Sequence, residues 1–202
     1  MKAVVVDNYN SIDGISIKEI DKPGVPPGEV RVKVGAAAVG FVDGLKVQGL
    51  YQTKDPLPFV PGTEFAGIVD AVADDVTTFK PDMPVIGMTR SGALAEYISV
   101  PSAALKNLPP QVPFEAGASF QANYLTGLYA LDARASLREG EILLVLGAAG
   151  GVGIAAVQIG KLMGARVSPP PRRRRSAPSR CGSAPITPST TPGRTGGTRS
   201  RS

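Results

Sequence analysis

Histidine is absent from this chain of 202 residues, and its single cysteine, Cys181, lies near the C-terminal end. Zinc is held chiefly by Cys and His, so neither a catalytic nor a structural zinc site is expected. One cysteine cannot build a disulfide framework. Long apolar runs are also missing. No stretch reaches the roughly 20 residues that a membrane-spanning helix needs. The opening Met1-Lys2-Ala3-Val4-Val5-Val6-Asp7 meets an acid too soon for a signal peptide. These absences predict a cytoplasmic protein without a membrane partner.

Charge of one sign is missing locally. From Ser168 onward there are eight Arg, seven Pro and seven Ser, but no Lys, Asp, Glu or aromatic residue. Of the 22 basic groups, 14 therefore belong to residues 1–167, against all 17 acids, so a net +5 hides a body of −3. A segment of this composition cannot bury enough apolar surface to offset its ordering entropy, and 168–202 is expected to be a disordered basic tail. The run Arg172–Arg175 permits nonspecific phosphate contact. No tail aromatic can stack on bases, so specific nucleic-acid binding is not expected.

Residues 1–122 read as β-rich. Glu29–Val34 alternates charged residues with Val30, Val32 and Val34, which places the valines on one face of a strand. Met1–Val6, Phe65–Val72, Pro84–Met88 and Ala95–Val100 are further strand candidates. Turns such as Lys22-Pro23-Gly24 and Pro26-Pro27-Gly28 separate them. Short strands with frequent turns suggest a partly open barrel. Near Pro113 the pattern becomes helical, over Phe114–Ala118 and Ala122–Leu131. Ile142–Leu146 then reads as a buried strand and Gly151–Met163 as a helix, apolar almost all round and so expected to be buried on more than one side. Ala165-Arg166-Val167 begins another strand.

Between that strand and helix lies Gly147-Ala148-Ala149-Gly150-Gly151-Val152-Gly153. Glycines at this spacing allow a tight turn and let a pyrophosphate approach main-chain N–H groups, while the helix N-terminus favours negative charge. Strand, glycine turn and helix in this order are the context a dinucleotide site requires.

The stretch 140–161, with Gln158 and Lys161 at their distances from the turn, resembles the quinone oxidoreductase/zeta-crystallin branch of the zinc-independent medium-chain dehydrogenase/reductase superfamily. Gln48–Gly67, Gly92–Tyr97 and Asn123–Gly127 are similar to that family as well. The resemblance covers 1–167. It implies a mixed α/β chain: a GroES-like β-barrel domain over 1–122, then the start of a Rossmann domain over 123–167. It implies NADPH in the cleft between them and hydride delivery to a small quinone or enone acceptor. It allows a homodimer in the intact family. By the same resemblance Ala148, Ala149, Gly150, Gly151 and Val152 lie under the pyrophosphate, and Thr126 touches the nicotinamide amide. Tyr51 falls beside the acceptor site, as a proton donor, an orienting group or an aromatic packed in its loop. Gly40 stands where relatives often carry Asn, which calls a hydrogen bond near the nicotinamide into question. Glu64 reads as a hydrogen-bonded or solvated carboxylate, not a metal ligand.

A Rossmann sheet normally has six strands, and residues 140–167 supply one strand, one helix and the start of a second strand. With the gene shifted one nucleotide out of register, and the first base of each codon left free, Ser183–Pro192 can be read as Leu-Gly-Ala-Asp-His-Ala-Ile-Asp-Tyr-Thr, a segment of the kind that the family places after the second Rossmann helix. The tail is therefore expected to be a frameshift product. Three functions stay open: a reductase of this lineage, an inactive truncated product of its gene, or an interaction protein with a basic tail.

Overall fold

The alternation at Val30 and Val32 shapes the main sheet of the computed structural model, which describes residues 1–9 and 12–168. Disorder of the tail, its frameshift origin and the role of Arg172–Arg175 all concern residues outside the described ones. Ser168 is the exception: composition assigned it to the tail, and it closes a strand.

Strands β3 (Glu29–Ala37), β4 (Glu64–Val72), β5 (Pro84–Met88), β6 (Tyr97–Pro101) and β7 (Leu105–Asn107) form a five-stranded antiparallel sheet in the order β6-β3-β4-β5-β7. Strands β1 (Lys2–Val6) and β2 (Ile15–Glu19) pair separately. Bridges Ala3↔Ala95 and Val6↔Phe59 tie β1 to the rest. Among the described residues no pairing closes the sheet into a barrel. Val30, Val32, Phe65, Val69, Val85, Ile98, Val100 and Leu105 form the core. Val34 is only half-buried. Two close approaches demand glycine. A Cβ on Gly67 would lie 2.1 Å from the Lys33 carbonyl oxygen, beside a register shift of β3, and one on Gly87 would lie 2.4 Å from the Phe65 ring.

Helix α1 (Phe41–Val47) starts where Asp43 Oδ2 accepts the Gly40 N–H at 2.8 Å. It leads into the segment carrying Tyr51, whose midpoint is clasped from three sides. Asp55, 6% exposed, meets Lys46 Nζ at 2.8 Å and Arg90 Nε at 2.8 Å. The Tyr9 hydroxyl donates to the Asp55 carbonyl, and Lys46 Nζ to the Arg90 carbonyl. Burial pushes the Asp55 carboxyl up, but the hydrogen bonds and charges of Lys46 and Arg90 outweigh it and hold the group below its ordinary 3.8.

Helix α2 (Phe114–Ala118) covers the sheet through Ala118, Leu108 and Ala66. Helix α3 (Gln121–Leu128) follows, then a π-helical turn over Tyr129–Arg134. The boundary expected at 122/123 falls inside the first turn of α3. The N-terminus of α3 is held by β4. Glu64 Oε1 accepts the Ala122 N–H at 2.7 Å, and Gln121 N–H also points to it. Burial raises the Glu64 carboxyl above its ordinary 4.5, and the nearby Asp43 charge adds to this, against the two N–H groups.

Strands β8 (Ile142–Leu144) and β9 (Arg166–Ser168) form a two-stranded parallel sheet, with α4 (Gly151–Leu162) between them in sequence. α4 packs closely on both neighbours. A Cβ on Gly127 of α3 would lie 3.2 Å from Ile159 Cδ1, and one on Gly160 would lie 2.4 Å from Leu143 Cδ2. The expectation that α4 is buried on more than one side holds in part. α3 and β8 cover Ala155, Ile159 and Gly160, whereas Leu162 is 88% exposed. Among the described residues no element covers that outer face. On β8 the face away from Leu143 is open as well, with Ile142 69% exposed. No helix among the described residues is long and apolar enough to cross a membrane.

Two outcomes follow from the buried charges. Asp55→Asn leaves Lys46 buried without a counter-charge and should destabilise the fold by about 3 kcal/mol in denaturant melts at neutral pH. Because the Asp55 carboxyl is held low when folded, its contribution is present above pH 3.8 and fades as pH falls further. The difference between wild type and variant should shrink over that acid range, and a constant difference would rule out the ion cluster as its source. Glu64 has the opposite sign, since a raised carboxyl costs stability once ionised. Glu64→Gln keeps an acceptor for Ala122 N–H and should raise the melting temperature at pH 7, but not below pH 4.5. A lowered melting temperature at pH 7 would contradict this account.

Candidate functional site

β8 delivers the chain to a turn that only glycine can close. Gly147 has φ +73°, and Gly150 N–H donates to its carbonyl at 3.0 Å. Gly150 caps α4 in an extended conformation, and the first helical bond runs from Ile154 N–H to Gly150 O at 2.8 Å. A Cβ on Gly153 would sit 2.2 Å from the Gly147 carbonyl oxygen, so the helix start could not fold over the strand end with any larger residue. The N–H groups of Gly151, Val152 and Gly153 precede that first bond and are directed out of the helix N-terminus.

These residues form one wall of a cleft of about 760 Å³. Leu143 to Leu146 continue the wall, and Asn123 of α3 adds to it. Val39, Gly40 and Phe41, at the entry to α1, face them from the sheet side. Phe41 is 82% exposed, an apolar ring held at the cleft rim. Among the described residues no acidic side chain lines the cleft. The local field is set by the helix N-terminus, which favours an anion. A pyrophosphate fits such a cradle: glycine backbone on one side, helix N–H groups at the end, no opposing negative charge.

Of the residues expected at the site, Gly150, Gly151 and Val152 line this cleft together with Gly147 and Gly153. Ala148 and Ala149 belong to the same turn but do not line the cavity. Thr126 is exposed on α3, three residues beyond Asn123 and on the same helical face. Tyr51 is half-buried in its loop, and the structure does not bring it to the cleft. Glu64 is committed to the α3 N-terminus. Asn123, Val39 and Phe41 were not singled out in the sequence. Their only signals were the family-like stretch Asn123–Gly127 and the position of Val39 and Phe41 on either side of Gly40.

Residues 26–110 match the alcohol dehydrogenase GroES-like domain. The rat synaptic vesicle membrane protein VAT-1 homolog is 37% identical over 163 residues, 79% of this chain and 40% of that protein. Rat quinone oxidoreductase-like protein 2 is 37% identical over 145 residues, 72% of this chain and 41% of its own length. Among solved structures, the quinone oxidoreductase of Thermus thermophilus, determined also as its complex with NADPH, superposes with a TM-score of 0.73 at 34% identity. That match covers 84% of this chain and 52% of the other. The chain thus spans about two fifths to one half of the proteins it matches. With the glycine cradle and the GroES-like sheet both in place, the chain belongs to the quinone oxidoreductase-like branch of the medium-chain dehydrogenase/reductase superfamily.

Proposed function

We propose that this chain derives from a zinc-independent, NADPH-dependent reductase of quinones or other activated alkenes and carbonyls. The observation that carries the reading is the Gly147–Gly153 cradle at the N-terminus of α4, opening on an apolar cleft. NADPH, when bound, supplies hydride to the acceptor. The residues of the chain bind and orient it. Gly151, Val152 and Gly153 offer N–H groups to the pyrophosphate. Val39 and Phe41 offer the cofactor an apolar surface on the sheet side of the cleft. Thr126, on the helix face that carries Asn123, is the nicotinamide-side residue of this reading, and Tyr51 its acceptor-side residue. Similarity to a quinone oxidoreductase crystallised with NADPH supports the choice of cofactor.

A second reading concerns this chain taken alone, and the open face of β8 favours it. Ile142 and Leu146, 69% and 77% exposed, mark a sheet whose next layer is not among the described residues. A βα unit without that support holds its glycine turn loosely, and binding that lacks preorganisation yields little affinity. We therefore infer that the isolated chain binds NADPH weakly and turns over no quinone.

Thermal melts with and without millimolar NADPH, alongside NADPH oxidation with a simple benzoquinone, test both readings. Ligand at one hundred times its dissociation constant would add about 2.7 kcal/mol, but at a concentration near that constant only about 0.4 kcal/mol. The expected shift is thus below about 2 °C, with no turnover. A shift of many degrees together with catalysis would overturn the second reading. No shift and no detectable contact at any NADPH concentration would overturn the first.

A further inference from the structure

We propose that Asn123 is a cofactor-binding residue, whose carboxamide accepts a hydrogen bond from a ribose hydroxyl of the dinucleotide. The proposal rests on the reading of the cleft as a dinucleotide site. Of the described residues that line the cleft, Asn123 alone has a polar side chain. The others are glycine, alanine, branched aliphatics and Phe41.

The carboxamide is held in place. Its Nδ2 donates to the Ser119 carbonyl at 3.0 Å, one turn back along the chain. The helix that carries it is fixed at its start by Glu64 and along its length by the close approach of Gly127 to α4. Among the described residues the bond to Ser119 is the only one this side chain makes. A carboxamide has two donor hydrogens and two acceptor lone pairs. One donor is used, and the acceptor is not. The oxygen lies against the first residue of α4: a Cβ on Gly151 would be 2.5 Å from Asn123 Oδ1. Glycine at 151 is what lets this acceptor reach the mouth of the turn.

The chemistry of the ligand then divides between the two kinds of group. Phosphate oxygens need donors, and the α4 N-terminus offers N–H groups. A ribose hydroxyl is itself a donor and needs an acceptor. Among the described residues Asn123 Oδ1 is the one side-chain acceptor on the cleft wall, and it stands beside the N–H groups assigned to the pyrophosphate. A ribose flanking the pyrophosphate is therefore the part of the dinucleotide it can read.

The test is a two-dimensional ¹⁵N NMR titration of the full chain, which detects millimolar binding directly. NADPH should shift the backbone amides of Gly151 and Gly153 together with the side-chain NH₂ pair of Asn123. Inorganic pyrophosphate, which lacks a ribose, should shift the glycines and leave the Asn123 side chain in place. Asn123→Leu, checked for an unchanged spectrum elsewhere, should weaken NADPH about threefold to tenfold, the loss of one neutral hydrogen bond, with pyrophosphate affinity unchanged. If NADPH moves the glycines but not Asn123, or if Asn123→Leu binds NADPH as tightly as wild type, the proposal is overturned and the cofactor reading stands. If pyrophosphate alone moves Asn123, the assignment to a ribose hydroxyl is wrong. If neither ligand moves any of these signals, both the proposal and the cofactor reading fall.

Discussion

A buried carboxylate ties the start of α3 to the main sheet. Glu64 begins β4 in the middle of the main sheet, and its side chain accepts N–H groups at the start of α3. α3 in turn lies against α4 through Gly127, and α4 lies against β8 through Gly160. The position of the glycine turn relative to Val39 and Phe41 thus depends on one hydrogen-bonded acid and two close helix contacts. Glycine at both contacts permits the close approach: a Cβ at Gly160 would force Leu143 Cδ2 to move, and one at Gly127 would press on Ile159 Cδ1. The cost is an ionised group in a site that resists charge, with Asp43 nearby making it worse. Its two N–H partners are what keep the arrangement tolerable.

Much of the sheet was legible because its signal is local. Val30 and Val32 alternate with Glu29, Arg31 and Lys33, and both are fully buried. The glycine turn was legible for a related reason: spacing, preceding strand and following helix all lie within one short stretch. β2 and α1 were missed. Ile15–Glu19 is short and mostly exposed, with Ile17 75% exposed although it alternates with Ser16 and Lys18, and α1 has Gly44 at its centre. The ion cluster of Lys46, Asp55 and Arg90 was out of reach because nothing local links residues so far apart in sequence. The expectation for α4 was met only in part. Its apolar circumference was read correctly, but burial depends on what the rest of the molecule supplies, and among the described residues α3 and β8 leave its outer face open.

The cleft shows how a binding wall can be nearly featureless and still selective. Its main-chain donors are generic, because any anion of the right size satisfies a helix N-terminus. Selectivity has to come from a side chain. In the sequence Asn123 sits in a helical stretch where nothing distinguishes it from a solvated polar residue. The fold brings it to Gly151 across the α3–α4 contact, which no periodicity reveals.

The clasp on Asp55 has a consequence for the order of folding. Lys46 closes α1 and Arg90 follows β5, so the loop between them is stapled by groups from opposite ends of the domain's middle third. Arg90 is set beside Asp55 by the pairing of β5 with its sequence neighbour β4. Without that pairing Lys46 and Asp55 lose the second cation that encloses them. The anchor of the segment bearing Tyr51 is therefore made and lost together with the β4–β5 pairing.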